Sequence, residues 1–209
     1  MSKKLQTNFK GAMLVKDMND IAVKNGTSIK RMRNSINRII DLSTPELTEA
    51  GKNWYKSAYD ECADIAINSQ YTVSQVAAAV SHLSPRQQWK NNIAYAKELV
   101  ETGSAPVMSR SLENAKRALA SSNPIETFSP GSHKTRSFYQ NILNDYQPVT
   151  VDTWAARIAI GSNDGEKILG RKGMYQAISH AYKLAGNDNG LTPAETQAVA
   201  WCVMRGTHE

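Results

Sequence analysis

Residues 128–143 read FSPGSHKTRSFYQNIL, and after a short connection residues 149–161 read VTVDTWAARIAIG. Ser129-Pro130-Gly131-Ser132 has the composition of a tight turn. It follows a helix end at Ile125–Phe128 and precedes a new helix that begins near Lys134. Such a corner leaves backbone N–H groups unpaired at the start of its second helix, where they bind phosphate oxygens without reading sequence. A plain helix–turn–helix corner with no ligand also fits the Pro-Gly pair. In the second stretch the β-branched run Val149-Thr150-Val151 leads to Asp152, and a helix with Ala155, Ala156, Ile158 and Ala159 follows. Aspartate is among the best N-cap residues, so Asp152 either serves the N–H groups of the next turn or offers its carboxylate to a ligand.

Outward from this region, helix start signals recur while strand-type alternation is almost absent, and the chain is expected to be all-α. Thr72-Val73-Ser74-Gln75 and Thr192-Pro193-Ala194-Glu195 fit capping boxes, the second with Pro at the first helical position. Thr44-Pro45 opens a helix in the same way. Ala198, Trp201, Cys202 and Arg205 keep helical spacing in the last helix, and Trp154 and Trp201 read as core.

The chain has 209 residues, with 25 Lys+Arg against 19 Asp+Glu and 41% hydrophobic residues. That suffices for the core of one domain or two small lobes. Residues 1–41 hold nine of the basic residues and three Asp, so the whole net charge of +6 lies there and the remainder is neutral. A uniformly basic, histone-like protein is excluded. The charge marks residues 1–42 as a basic N-terminal helical segment attached to a neutral body, residues 43–209. Ile29, Met32, Arg33, Ile36, Ile39 and Ile40 form one stripe of a helix whose charged face carries Lys30, Arg31 and Arg38. This amphipathic helix suits DNA phosphates, a protein partner, or packing on the body with a solvated outer face.

Cys62 and Cys202 are too few for an iron–sulfur cluster or a four-thiolate zinc site and imply no disulfide framework. His82, His133, His180 and His208 lack metal-ligand spacing, so no metal is expected. There is no apolar run of about 18 residues and no signal-peptide pattern at Met1, so a soluble cytoplasmic protein with no membrane partner is expected.

Pro130-Gly131, Lys134-Thr135, Val151-Asp152 and Arg157 together resemble the helix-hairpin-helix DNA glycosylases of the endonuclease III type. In that family a Leu-Pro-Gly-x-Gly-x-Lys-Thr hairpin precedes a Val-Asp step at a helix start. The resemblance spans about Thr72 to Trp201, and the 18 residues from Lys134 to Asp152 agree with the bifunctional members. VAAAVSHLSPRQQWKNNIAYAKEL, residues 76–99, is similar to the helix–turn–helix of the same fold, with its turn at Ser84–Gln88. The hairpin departs from the pattern, since only Ser132 and His133 separate Gly131 from Lys134 and the second glycine is missing. No C-terminal cluster domain is expected, and in this the chain resembles compact phage-borne and bacterial relatives of that family.

The resemblance implies two α-helical lobes with a DNA-binding cleft between them. One is a barrel of residues 72–146 with the hairpin at 128–134; the other joins residues 147–209 to the N-terminal segment. It implies double-stranded DNA as partner, no iron–sulfur cluster, and the host cytoplasm for a phage-encoded chain. A monovalent cation on hairpin carbonyls accompanies the motif, although the shortened hairpin counts against one here.

The implied activity is that of a DNA glycosylase with AP-lyase activity. Cleaving the N-glycosidic bond develops oxocarbenium character on the sugar, which a carboxylate such as Asp152 stabilises. The Lys134 amine is the matching nucleophile, forming a Schiff base that permits strand cleavage; the alternative is that Lys134 only contacts a phosphate. Pro130, Gly131, Ser132, His133, Thr135 and Arg136 are the expected hairpin contacts to DNA. Base flipping needs a wedge, for which Gln87 and Gln88 are candidates, flanked by Arg86 and Lys90 as phosphate contacts; both glutamines also suit a solvent-facing first turn. Lys30, Arg31 and Arg33 complete the expected DNA-binding set. Two other functions fit the same residues: a base-hypermodification transferase acting on modified thymine in phage DNA, and a non-catalytic DNA- or protein-binding module.

Overall fold

The computed structural model describes residues 7–8 and 12–206. Lys3, Lys4 and Lys10 of the expected basic segment, and His208, lie outside the described residues. The protein is all-α, apart from a short antiparallel pairing of β1 (Thr7–Asn8) with β2 (Ala12–Met13). The chain divides into two compact units, residues 1–52 with 149–208, and residues 53–148. The division falls within a helix, so residues 53–71, outside the barrel expected from sequence, belong with residues 72–148.

In the first unit the chain forms α1 (Val15–Lys24), α2 (Ile29–Ile40) and the first turns of α3 (Pro45–Ile67). It returns through α8 (Thr153–Ile160), α9 (Gly165–Leu169), α10 (Met174–Asn189) and α11 (Pro193–Arg205). Met32 and Ile36 of α2 pack with Ile178 and Tyr182 of α10 and with the alanines of α8 in one core. The close crossings depend on small residues. A Cβ on Gly51 would lie 2.5 Å from the Val199 Cα, an overlap with main chain that no rotamer change relieves. Trp154 and Trp201, expected in the core, are only half-buried. Each lies under an arginine of its own helix, Arg157 at 5.3 Å and Arg205 at 4.8 Å from the ring centroid. A long guanidinium stem one turn away covers an aromatic face without burying it in the core.

The second unit is built around α4 (Val73–Leu83), in which Val76 through Leu83 are all buried. A helix apolar on every side must be central. Around it lie α5 (Trp89–Thr102), α6 (Ser109–Leu119) and α7 (His133–Ile142). The Thr72–Gln75 capping box forms, and Gln75 Nε2 also donates to the Leu119 carbonyl at 2.7 Å, tying the start of α4 to the end of α6. Trp54, Tyr55, Trp89 and Phe138 make an aromatic cluster with centroid separations of 5.0–6.3 Å.

The segment ahead of the turn differs from the expected helix end. Pro124–Thr127 is one turn of 3-10 helix, and Phe128 is extended and buried. Only four residues lie between Asn123 and Phe128, and burying Phe128 draws the chain out of helical geometry before an α-helix can propagate.

Candidate functional site

The turn in the second unit closes as its composition requires: Ser132 N donates to the Ser129 carbonyl at 2.9 Å, and the two hydroxyls are 2.7 Å apart. α7 begins directly at His133, and Ser132 provides no side-chain cap. The N–H groups of Lys134 and Thr135 therefore have no acceptor among the described residues. The first turn of α7 holds no acidic residue, while His133, Lys134 and Arg136 make it basic. Lys134 is half-buried and Arg136 exposed. A Cβ on Gly131 would meet nothing within 4 Å, so the space in front of the turn is open. Pro130 through Arg136 thus form one basic, donor-rich corner.

A residue to which the sequence assigned no role holds that corner in place. His82 is buried on α4 and its ring stacks on Phe128 at 4.2 Å. The Thr127 hydroxyl donates to the Pro124 carbonyl at 2.6 Å, which leaves its oxygen to accept from His82 Nε2 at 2.9 Å. Arg117 donates to the Thr127 carbonyl at 3.1 Å. Burial, with Arg117 nearby, pushes the imidazole down from 6.5 to about 4. The signal was legible as a lone polar ring in the apolar run VAAAVSHL.

This arrangement makes stability depend on pH. Between pH 6.5 and 4 the unfolded chain takes up a proton at His82 that the folded chain excludes, so stability falls as pH drops through that window. From pH 7 to 5 the contribution lost is about 2 kcal/mol. Urea denaturation at the two pH values should show it, and His82→Gln should remove most of the difference; an unchanged difference would dismiss this account.

The Ser84–Gln88 loop joins α4 to α5 as the sequence indicates. Arg86 is exposed with φ +64, a left-handed conformation rare for a residue with a side chain. Gln88 is exposed and Gln87 half-buried, and Lys90 is exposed on the first turn of α5. The loop is anchored where Trp89 Nε1 donates to Glu61 Oε1 at 2.8 Å. Holding Arg86 left-handed costs about 1–2 kcal/mol. Arg86→Gly should therefore raise the melting temperature. An unchanged melting temperature would show that the left-handed conformation carries no such cost.

Asp152 belongs to the first unit. Tyr175 clamps the preceding segment, its hydroxyl donating to the Val149 carbonyl at 2.7 Å and accepting from Val151 N at 3.2 Å. Asp152 Oδ1 caps α8, accepting from Ala155 N at 2.7 Å. The buried Tyr182 hydroxyl donates to the Ala155 carbonyl at 3.1 Å. Burial, reinforced by the nearby Asp152 carboxylate, holds that phenol well above its ordinary value. The Arg157 Nε is buried with no acceptor among the described residues.

On α2, Lys30 and Arg31 are exposed. Arg33 instead makes a two-pronged contact with Asp188 of α10, which Asn37 joins at 2.8 Å. The hydrogen bonds from Arg33 and Asn37 keep the Asp188 carboxyl below the usual carboxylate range. The expected site residues thus fall in both units. Lys134, its hairpin neighbours, Arg86, Gln87, Gln88 and Lys90 lie in the second, while Asp152, Lys30, Arg31 and Arg33 lie in the first.

Cys62 and Cys202 are free and buried, and burial raises their thiols to about 12 and about 11. Among the described residues, no group of three or more His, Cys, Asp or Glu is placed to hold a metal ion, and no helix is long and apolar enough to cross a membrane. No curated protein and no solved structure matches the chain. A family model does match, over residues 18–208, and the chain belongs to that family, a family of unknown function designated DUF7178.

Proposed function

We propose that the protein is a DNA-binding base-excision enzyme, a DNA N-glycosylase with AP-lyase activity, whose two units are the lobes of a helix-hairpin-helix fold. The observation that carries this reading is the corner at Pro130–Arg136. It combines an open turn, unpaired N–H groups and a basic first turn free of acids, which together suit a phosphate backbone passing beside a lysine.

In the proposed reaction the Lys134 amine attacks C1′ of the target deoxyribose. The C–N bond to the base breaks and the base departs with its electron pair, to be protonated by water. Asp152 is proposed to stabilise the positive charge developing on the sugar, and the proton that Lys134 loses passes to water. Ring opening, with O4′ taking a proton from water, gives the Schiff base; water then removes the C2′ proton and the 3′ phosphate leaves with the electrons of the C3′–O bond. Gln87 and Gln88 are proposed to fill the gap left by the extruded nucleotide, with Arg86 and Lys90 on the flanking phosphates.

The test incubates the protein with duplexes carrying uracil, thymine glycol, 8-oxoguanine, hydroxymethyluracil or an abasic site. Strand cleavage is scored with and without alkali. Direct breaks are expected. Breaks that need alkali would leave a glycosylase in which Lys134 only contacts phosphate. Binding without release of any base would replace the reading with a transferase or a binding module.

A further inference from the structure

We infer that the first unit carries a second nucleic-acid contact, a groove in which Arg31, Asn34 and Arg38 of α2 hold the sugar–phosphate backbone. Their i, i+3, i+7 spacing places the three on one stripe of the helix. Ile29, Met32 and Ile36 turn away from it into the core. The stripe forms one wall of a 750 Å³ groove completed by the Asn25–Thr27 turn and by Ile160, Gly161 and Ile168, and no acidic side chain lines it.

The contrast within α2 carries the argument. Arg33 is matched by Asp188, whereas the side chains of Arg31, Asn34 and Arg38 make no hydrogen bond or ion pair among the described residues. Arg171 brings a third guanidinium to the lining residue Asn25, donating to its Oδ1 at 2.6 Å. Cations gathered in a groove without counter-charge raise the local potential, which a bound polyanion relieves.

Spacing favours a chain of phosphates over one anion. Seven residues of helix rise about 10 Å, the axial span of about three phosphates of one strand. Two parallel arginines can then meet different phosphates, with Asn34 donating between them. A lipid surface fits less well, because Ile39 and Ile40 beside Arg38 pack on the core and are not presented for insertion. The inference shares with the function proposed above only the premise that the partner is a nucleic acid. It does not depend on excision chemistry.

The test measures anisotropy of labelled single-stranded and duplex oligonucleotides bound to the full chain across a salt series. Arg31→Gln with Arg38→Gln should weaken binding at least about tenfold and reduce the slope of log K against log salt by about 2. The melting temperature should not change, since both side chains are exposed and unpaired. An unchanged salt slope overturns the groove while leaving the excision reading intact. The reverse outcome, a reduced slope in a protein that forms no covalent adduct with abasic DNA, overturns excision and leaves the groove. Inorganic phosphate competing, at matched ionic strength, at concentrations that saturate a single-anion site would overturn the backbone assignment. Binding to phosphatidylserine vesicles without binding to oligonucleotides would overturn both readings.

Discussion

Lys134→Ala should yield no borohydride-trapped adduct with an abasic duplex, whereas the unaltered protein should be trapped in good yield. The amine is the only atom of that side chain able to form an imine with the opened sugar, so its removal eliminates the covalent species rather than weakening it. The fold should survive, because Lys134 is half-buried in the first turn of a helix held by Phe138, Tyr139 and Ile142. DNA binding should persist with a salt slope smaller by about 1. Trapping in equal yield would show that another amine is the nucleophile and would remove Lys134 from the chemistry.

Asp152→Asn should lower excision by about 10²–10⁴-fold with little change in stability. The two roles of Asp152 make the substitution informative. Asparagine caps a helix nearly as well as aspartate, so the bond to Ala155 N and the start of α8 are retained while the negative charge is lost. Asp152→Ala removes both, and should add a loss of about 1 kcal/mol in folding stability to the loss of activity. Full activity in Asp152→Asn would leave only the capping role. Circular-dichroism melting alongside base-release kinetics separates these outcomes.

Local signals carried much of the fold. The capping boxes at Thr72–Gln75 and Thr192–Glu195 form, the Ser84–Gln88 turn separates α4 from α5, and Asp152 opens α8. Each depends on residues three or four apart, whose hydrogen bonds need no distant partner. The candidate corner was legible for the same reason, since Pro130, Gly131 and the basic residues after them are contiguous. The 3-10 geometry before it was not legible, because the burial of Phe128 against His82 depends on α4, more than forty residues earlier.

Charge gives the sharpest contrast. The sequence by itself determined that the excess positive charge lies in residues 1–41, that the fold is all-α, and where several of its turns fall, because composition and short-range capping are properties of neighbouring residues. Only the tertiary structure decided which of those charges are available. Arg33 meets Asp188 across 155 residues, while Arg31 and Arg38 on the same helix face a groove without acids. The pairing of a charge depends on the elements packed around it, and that packing is set by burial between segments far apart in the chain.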